Sequence, residues 1–474
     1  MADEGNEMSA SCSNTFILGI DIGTTSIKAS LLSHNTREVI ESVRRETKAN
    51  ISDKNTSFVE QDVTKILSVL QHALGQLSPQ LLARVNRIGI CGQMHGCVLW
   101  KRGYCMAKAW DTSKNNASNL ITWEDRRCTN EFLATLPLTQ TDVAISTGFG
   151  CASLFWLQRN YPSLLEPYDC AGTIMDFIVC LLCQLEEPCM SSQNAVSWGY
   201  FDVDNMKWEL DLLKSANFPT HLLPVVAESS AVAGKLQQPL FGIPSGISVG
   251  VALGDFQCAV LSTISSETDA VLNVSTSSQL AVVVPDDKGN IFTGEVPSKA
   301  VKCLPFFQGK KVMTAASLSG CGNVLATYVQ MLTSWMRDLG LNDHLPATDE
   351  IYQRILDCAE KKSSSSLKIT ATLWGERHMP DRRAEVSNLS SDNISLGDVG
   401  LSLYRGLVEN LHEMMPKEFL HLHGVQRIVG TGSALIRNQV LQKQVEQVFG
   451  LPLVMSDNSE ESFGAAMAAI LECT

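Results

Sequence analysis

Residues 16–28 read Phe-Ile-Leu-Gly-Ile-Asp-Ile-Gly-Thr-Thr-Ser-Ile-Lys, and this stretch constrains the fold more than any other. The first seven residues are a short apolar run with β-branched members, the pattern of a buried strand. The strand delivers an acidic residue, then Gly23, then three hydroxyls, then a cation. Gly23 permits a tight turn and a close backbone approach to a ligand. Thr24, Thr25 and Ser26 offer hydroxyl and backbone N–H donors suited to phosphate oxygens, and Lys28 adds positive charge. Asp21 is suited to hold Mg²⁺ through water, because that ion gives up its hydration shell reluctantly. The competing reading is an ordinary hairpin turn.

The rest of the chain repeats this theme. Val63, Ile66, Leu67 and Leu70 recur at the spacing of one helix face. Arg87-Ile-Gly-Ile-Cys-Gly92 reads as another buried strand. Alternating strands and helices predict an α/β protein. A second series begins near residue 247. Ile247–Leu253 is a strand ending at Gly254-Asp255, and Ala270–Ser275 is a strand followed by a Thr/Ser-rich turn. Gln426–Gly430 is a strand opening into Thr-Gly-Ser-Ala. The layout suggests two halves of similar design, with a boundary near 247–254.

At 474 residues, 45% of them apolar, the chain has material for two or three domains with large cores. Charged residues make up 18%, which argues against disorder. Fifty acidic against 37 basic residues give a formal net charge of −13, a poor basis for binding a phosphate backbone. No nucleic-acid partner is expected. No apolar stretch reaches the ~18–20 residues needed to span a bilayer, and Asp176 interrupts the longest candidate. Residues 1–14 hold Asp3, Glu4 and Glu7 and lack a basic, apolar leader pattern, so a disordered tail is expected there. The 15 cysteines are scattered and mostly in apolar surroundings, which suits buried thiols in a reducing, cytoplasmic setting. Cys180-Leu-Leu-Cys183 has no second pair at zinc spacing and reads as a core helix.

Five further segments carry candidate chemistry. Asn273-Val-Ser-Thr-Ser-Ser278 is a second hydroxyl-rich turn after a strand; alone it reads as a common Ser/Thr turn, and paired with the first it suggests a two-sided phosphate clamp. Asp255 at a strand end is a candidate general base, with a helix N-cap as the competing role. Gly430-Thr-Gly-Ser-Ala-Leu-Ile-Arg-Asn438 allows close approach of a flat nucleotide base or ribose, or is a plain βα turn. Gln93-Met-His-Gly96 and Trp123-Glu-Asp-Arg126 contain side chains able to bind a polyol. Taken alone, His95 reads as a structural histidine and Trp123 as a core residue more readily than as ligands.

Together, and in this order, these segments resemble the FGGY carbohydrate kinases of the actin/hexokinase/Hsp70 superfamily, over essentially residues 16–470. Ser319-Gly-Cys-Gly-Asn323 resembles a nucleotide-side segment, Leu373-Trp-Gly-Glu-Arg377 the family's Gly-Glu-Arg turn, and Glu461-Ser-Phe-Gly-Ala-Ala466 its terminal helix. The resemblance implies an α/β fold of two actin-like (ribonuclease H-like) ATPase domains about a hinged interdomain cleft. The N-terminal domain, 15–250, would bind the sugar and carry the first phosphate loop. The C-terminal domain, 251–474, would bind the nucleotide and carry the catalytic base. ATP and Mg²⁺ are the implied cofactors. The implied nucleotide-binding residues are Gly23, Thr24, Thr25, Ser26, Lys28, Thr276, Ser277, Gly320, Gly322, Gly432, Ser433, Ala434 and Asn438. Sugar would be bound by Gln93, Met94, His95, Trp123, Asp125, Arg126 and Asp255. Asp21 and Asp255 would hold the metal, and Asp255 would be the catalytic base.

Gly148–Cys151, Asn194–Phe201 and Val251–Asp255 look most like the branch acting on sedoheptulose, a seven-carbon ketose of the pentose phosphate pathway. Kinases of xylulose or ribulose, and a sugar-sensing member of weak activity, are the alternatives. A small-molecule ketose is the expected partner, with no membrane, in a monomer or homodimer. Two positions depart from the family pattern. Ser275 replaces a common Gly, where a Cβ would crowd a left-handed backbone and alter the turn. Phe256 follows Asp255 where Gln or Asn is common, with Gln257 next, so a polar sugar contact is expected to be missing or moved.

Overall fold

The computed structural model describes residues 15–52, 57–107, 117–141, 143–285, 298–376, 378–456 and 460–471. The expected tail at 1–14, and Arg377 of the Gly-Glu-Arg turn, lie outside the described residues. The chain divides into two compact units, residues 1–258 with 460–474, and residues 259–459. This differs from the expected division at 250/251: the chain crosses between units inside a helix, and its last segment belongs to the first unit.

In the first unit, strands β1 (Phe16–Ile22), β2 (Ser26–Ser33) and β3 (Val39–Glu46) form an antiparallel meander. Every residue of β1 is buried, because it lies inside the sheet with neighbours on both edges. β3 is an edge strand with Glu41, Arg44, Arg45 and Glu46, charges that discourage pairing with another chain. Helix α1 (Val63–Leu74) buries Val63, Ile66, Leu67 and Leu70, as the spacing predicts. Asp62 caps it by accepting from the Lys65 N–H at 3.2 Å.

Strand β4 (Val85–Gly92) runs parallel to β1. Helix α2 (Ile174–Cys183) is buried on all sides, including Cys180 and Cys183, so the C-x-x-C is core. Asp176, which interrupts that apolar run, closes a capping box with Thr173. After helix α3 (Ser192–Trp198), strands β5 (Val232–Lys235), β6 (Ser248–Gly250) and β7 (Leu253–Gly254) follow. The sheet order is β5-β6-β4-β1-β2-β3, with β7 also beside β4. Helix α4 (Asp255–Thr263) starts directly from β7.

The second unit repeats the plan. Strands β8 (Asp269–Val274) and β9 (Ser278–Val284) form a hairpin. β10 (Val301–Pro305) and β11 (Lys311–Ser317) add antiparallel strands beyond β9. Helices α5 (Gly322–Asp338) and α6 (Leu396–Met414) follow. Strand β12 (Arg427–Thr431) then pairs parallel with β8. Past helix α7 (Gln439–Phe449), β13 (Leu453–Met455) pairs parallel with β12. In both units a strand–turn–strand hairpin sits beside parallel strands, so the duplication read from layout exists as repeated topology.

Helix α8 (Glu461–Ala468) returns to the first unit and lies against β1 and β4. Gly19 and Gly89 make this possible, since a Cβ at either would collide with the α8 backbone at Ser462 or Ala465. No helix among the described residues is long and apolar enough to cross a membrane.

Candidate active site

The β1–β2 turn closes with Gly23 N–H donating to the Ser26 carbonyl at 3.1 Å. A Cβ on Gly23 would lie 2.9 Å from that carbonyl oxygen, so the turn requires glycine for space. Antiparallel register places Asp21 directly opposite Lys28, on one face of the sheet. Asp21 is buried, and its carboxylate is 3.6 Å from the Lys28 ammonium. Lys28 also pairs with Glu461 of α8. The Thr24 carbonyl accepts from Thr47 Oγ1 at 3.0 Å and Gln61 Nε2 at 2.8 Å, which fixes the turn from below. Thr25 is exposed at the tip, and Ser26 is buried at the start of β2.

Parallel pairing brings Asp255 to the same end of the sheet. Cys91 on β4 pairs with Asp21 on one side and Leu253 on the other, and Gly92 pairs with Ile22 and Gly254. Asp255 is the next residue and opens α4. Its Oδ1 accepts from the Phe256 N–H at 2.7 Å, and the residue both begins a helix and carries a carboxylate at a strand end. Burial, and then the Glu461 carboxylate, push Asp255 up to about 7 against the pull of the Phe256 N–H and Lys28. Asp21 is held well above the usual range, first by burial and then by Glu461. Asp21 and Glu461 thus flank the Lys28 ammonium, and the Asp255 carboxyl, held near 7, is the group able to exchange a proton near neutrality.

The polyol segment abuts this cluster. Gln93 is buried; its Nε2 donates to Gln61 Oε1 at 3.0 Å, and its Oε1 accepts from Thr24 Oγ1 at 3.4 Å. Met94 sits against Gly254, where a Cβ would be 2.6 Å from its sulfur. His95 takes a left-handed backbone, φ 73°, and stacks on Phe149 with ring centroids 4.6 Å apart. Its Nδ1–H donates to the Ser197 carbonyl at 2.8 Å, which in the neutral ring makes Nε2 the acceptor. The Trp123 ring is 42% exposed, and its Nε1–H donates to Thr24 Oγ1 at 3.0 Å, joining the polyol segment to the first turn.

Asp125 and Arg126 stand apart from this group. Asp125 is fully buried and accepts from Arg127 Nε at 2.8 Å, Arg127 Nη2 at 2.9 Å and the Val59 N–H at 2.8 Å. Both oxygens are engaged, so its role here is to order the loop behind Trp123. Its partner is Arg127, which also pairs with Glu60 at 2.7 Å and stacks on Phe58; the Arg126 side chain is exposed. Gln61, Arg127 and Glu461 are residues of this region to which the sequence reading gave no site role.

The second unit assembles its own turn. Thr276 and Ser277 are exposed between β8 and β9. The Ser275 and Thr276 carbonyls accept from the Gly322 and Asn323 N–H groups at 3.0 and 3.2 Å, so the start of α5 packs against the turn. Gly320 lies against Ser278, and Gly322 against Ser275 and Thr276, where side chains would collide. Buried Glu376 accepts from Ser317 Oγ at 2.7 Å, the Leu318 N–H at 2.9 Å and Asn410 Nδ2 at 2.8 Å, anchoring the segment that enters Gly320. Gly432, φ 95°, lies against Asn273 and Val274, with Ser433 exposed and Ala434 half-buried after it. Asn438 is buried and caps α7 through the Leu441 N–H at 2.8 Å. Ser275 is not among the residues with positive φ, so the strain expected from its Cβ does not arise. Gln257, next to Phe256, is fully buried.

Residues 16–262 match the FGGY family of carbohydrate kinases, N-terminal domain. The chain is 44% identical over 467 residues to a mouse (Mus musculus) protein named sedoheptulokinase, covering 96% of this chain and 97% of that one. It is 43% identical over 469 residues to the human (Homo sapiens) sedoheptulokinase, with the same coverage. Among solved structures it is similar to the xylulose kinase of Rhodospirillum rubrum, with a TM-score of 0.76, 19% identity, and 96% of this chain and 89% of that one covered. The structural likeness shows the fold, an α/β pair of actin-like ATPase domains. With a family match over more than half its length and relatives above 40% identity from end to end, the chain belongs to the FGGY family of carbohydrate kinases.

Proposed function

We propose that this chain transfers the γ-phosphoryl group of ATP to the terminal hydroxyl of sedoheptulose, giving sedoheptulose 7-phosphate and ADP for the pentose phosphate pathway. The observation that carries the sugar assignment is the end-to-end similarity to the mouse and human sedoheptulokinases. The chemistry is supported by Asp255, a carboxylate held near neutrality where the polyol segment meets the first phosphate turn. Asp255 accepts the proton of the C7 hydroxyl as that oxygen attacks the γ-phosphorus in line, and ADP departs. His95 and Gln93 orient the ketose, and Trp123 presents a ring face to it. Thr24, Thr25, Ser26 and Lys28 contact the phosphates; within the second unit, the exposed turn of Thr276 and Ser277 and the backbone at Gly432, Ser433 and Ala434 suit a nucleotide.

Mg²⁺, when bound, would offset phosphate charge, and buried Asp21 and Asp255 are a donor set that fits it. Among the described residues there is no group of three or more His, Cys, Asp or Glu side chains arranged to hold a metal. That agrees with an ion bound by one or two carboxylates, waters and substrate phosphates. The described cysteines are all free, in keeping with a reducing cytoplasmic setting.

The test is ADP release with Mg-ATP against sedoheptulose, D-xylulose, D-ribulose, glycerol and no sugar. Turnover dominated by sedoheptulose is expected. Turnover dominated by a pentulose overturns the sugar while keeping the chemistry, and ATP binding without sugar-dependent turnover overturns both.

A further inference from the structure

We propose that Glu461, from the opposite end of the chain, is a positioning residue for the first phosphate turn: its carboxylate holds the Lys28 ammonium at the mouth of that turn. The inference rests on Lys28 serving ATP as described above. A lysine ammonium is a compact charge on a flexible stem, and one partner does not fix its direction. Here the ammonium has two: Asp21 at 3.6 Å across the hairpin, and Glu461 across the sheet. Left with Asp21 alone, Lys28 would collapse onto that buried carboxylate and neutralise it. The pull of Glu461 keeps it between the two.

The position of Glu461 is strongly determined. Its backbone carbonyl accepts from the Cys91 thiol at 3.4 Å, on the strand between Asp21 and Leu253. The next residue, Ser462, shares a buried hydrogen bond with Ser30 of β2 at 2.8 Å. Gly464 lies against the Cys258 backbone of α4, the helix that begins at Asp255, closely enough that any side chain would collide. The first turn of α8 is thus tied to β2, β4 and α4, the three elements that carry or flank Lys28, Asp21 and Asp255.

The experiment uses the full-length chain with E461Q, E461D, K28A and the double variant K28A/E461Q. Measured are KM for Mg-ATP, kcat, sugar affinity without nucleotide, and displacement of a fluorescent ATP analogue. E461Q is expected to raise the Mg-ATP KM about five- to ten-fold, the scale of one partly exposed charge-assisted contact, with sugar affinity unchanged. E461D should recover part of the loss. Because Glu461 acts through Lys28, the double variant should be no worse than K28A alone. Losses that multiply, an E461Q enzyme equal to wild type, or an equal fall in sugar affinity would each overturn the proposal. The nucleotide displacement reads the same coupling even if the sugar panel fails, so failure of this inference is distinguishable from failure of the function.

Discussion

Asp255→Asn is expected to lower turnover and raise stability, and the second effect is as diagnostic as the first. In the folded chain this carboxyl sits near 7, against an ordinary value of 3.8. From about pH 4 to about 7 the folded protein keeps a proton that the unfolded chain has released. Wild-type stability therefore falls as pH rises through that window and is level above it. At ~1.4 kcal/mol per pH unit the gap has a ceiling of about 4 kcal/mol, and partial exposure of the group brings the expected gain to roughly 1–2 kcal/mol. The amide carries no charge at any of these pH values, so the variant's advantage is near zero at pH 4 and full by pH 8. The assay is thermal unfolding of both proteins at pH 4.5 and pH 8. In parallel, kcat should drop ~10²–10⁴-fold with sugar binding retained. Wild-type kcat/KM should fall about ten-fold between pH 8 and pH 6, where roughly a tenth of a group titrating near 7 is ionised. A stability gain equal at both pH values, or none, would refute the argument that Asp255 carries a costly charge. Turnover within a few-fold of wild type would remove it as the base.

Two further outcomes separate the polyol segment from its support. His95→Ala should raise the sugar KM about ten-fold and leave the ATP KM alone, because the ring is fixed by Phe149 and Ser197 beside Met94; a change confined to the ATP KM would contradict this. Asp125→Asn should destabilise by roughly 3–5 kcal/mol through a broken buried pair, read as a lower unfolding midpoint. The remaining folded enzyme should keep its sugar affinity, and a sugar-specific defect without loss of stability would restore Asp125 as a ligand.

Much of the first unit is legible locally. The continuous apolar run of β1, the helix face at Val63, Ile66, Leu67 and Leu70, and the Gly23 turn follow from side-chain period and backbone sterics. The order of the motifs was enough to indicate the family and an α/β duplication. What sequence did not resolve lies wherever two distant segments meet. Arg126 and Arg127 are chemically identical neighbours, and only the packing of their loop against Phe58 and Asp125 turns the second inward. That Asn438 caps α7 through the Leu441 N–H is likewise visible only in the packed chain. Ser275 looks strained by analogy, yet its turn takes a backbone that accepts a Cβ. Glu461 lies 433 residues from Lys28, a separation over which no local pattern carries information. The sequence alone determined the strands, the turns and the chemical types available at each. The tertiary structure decided that the last helix folds back onto the first strands. Short-range sterics act within a few residues, whereas pairings of buried charges are set by which elements share a face.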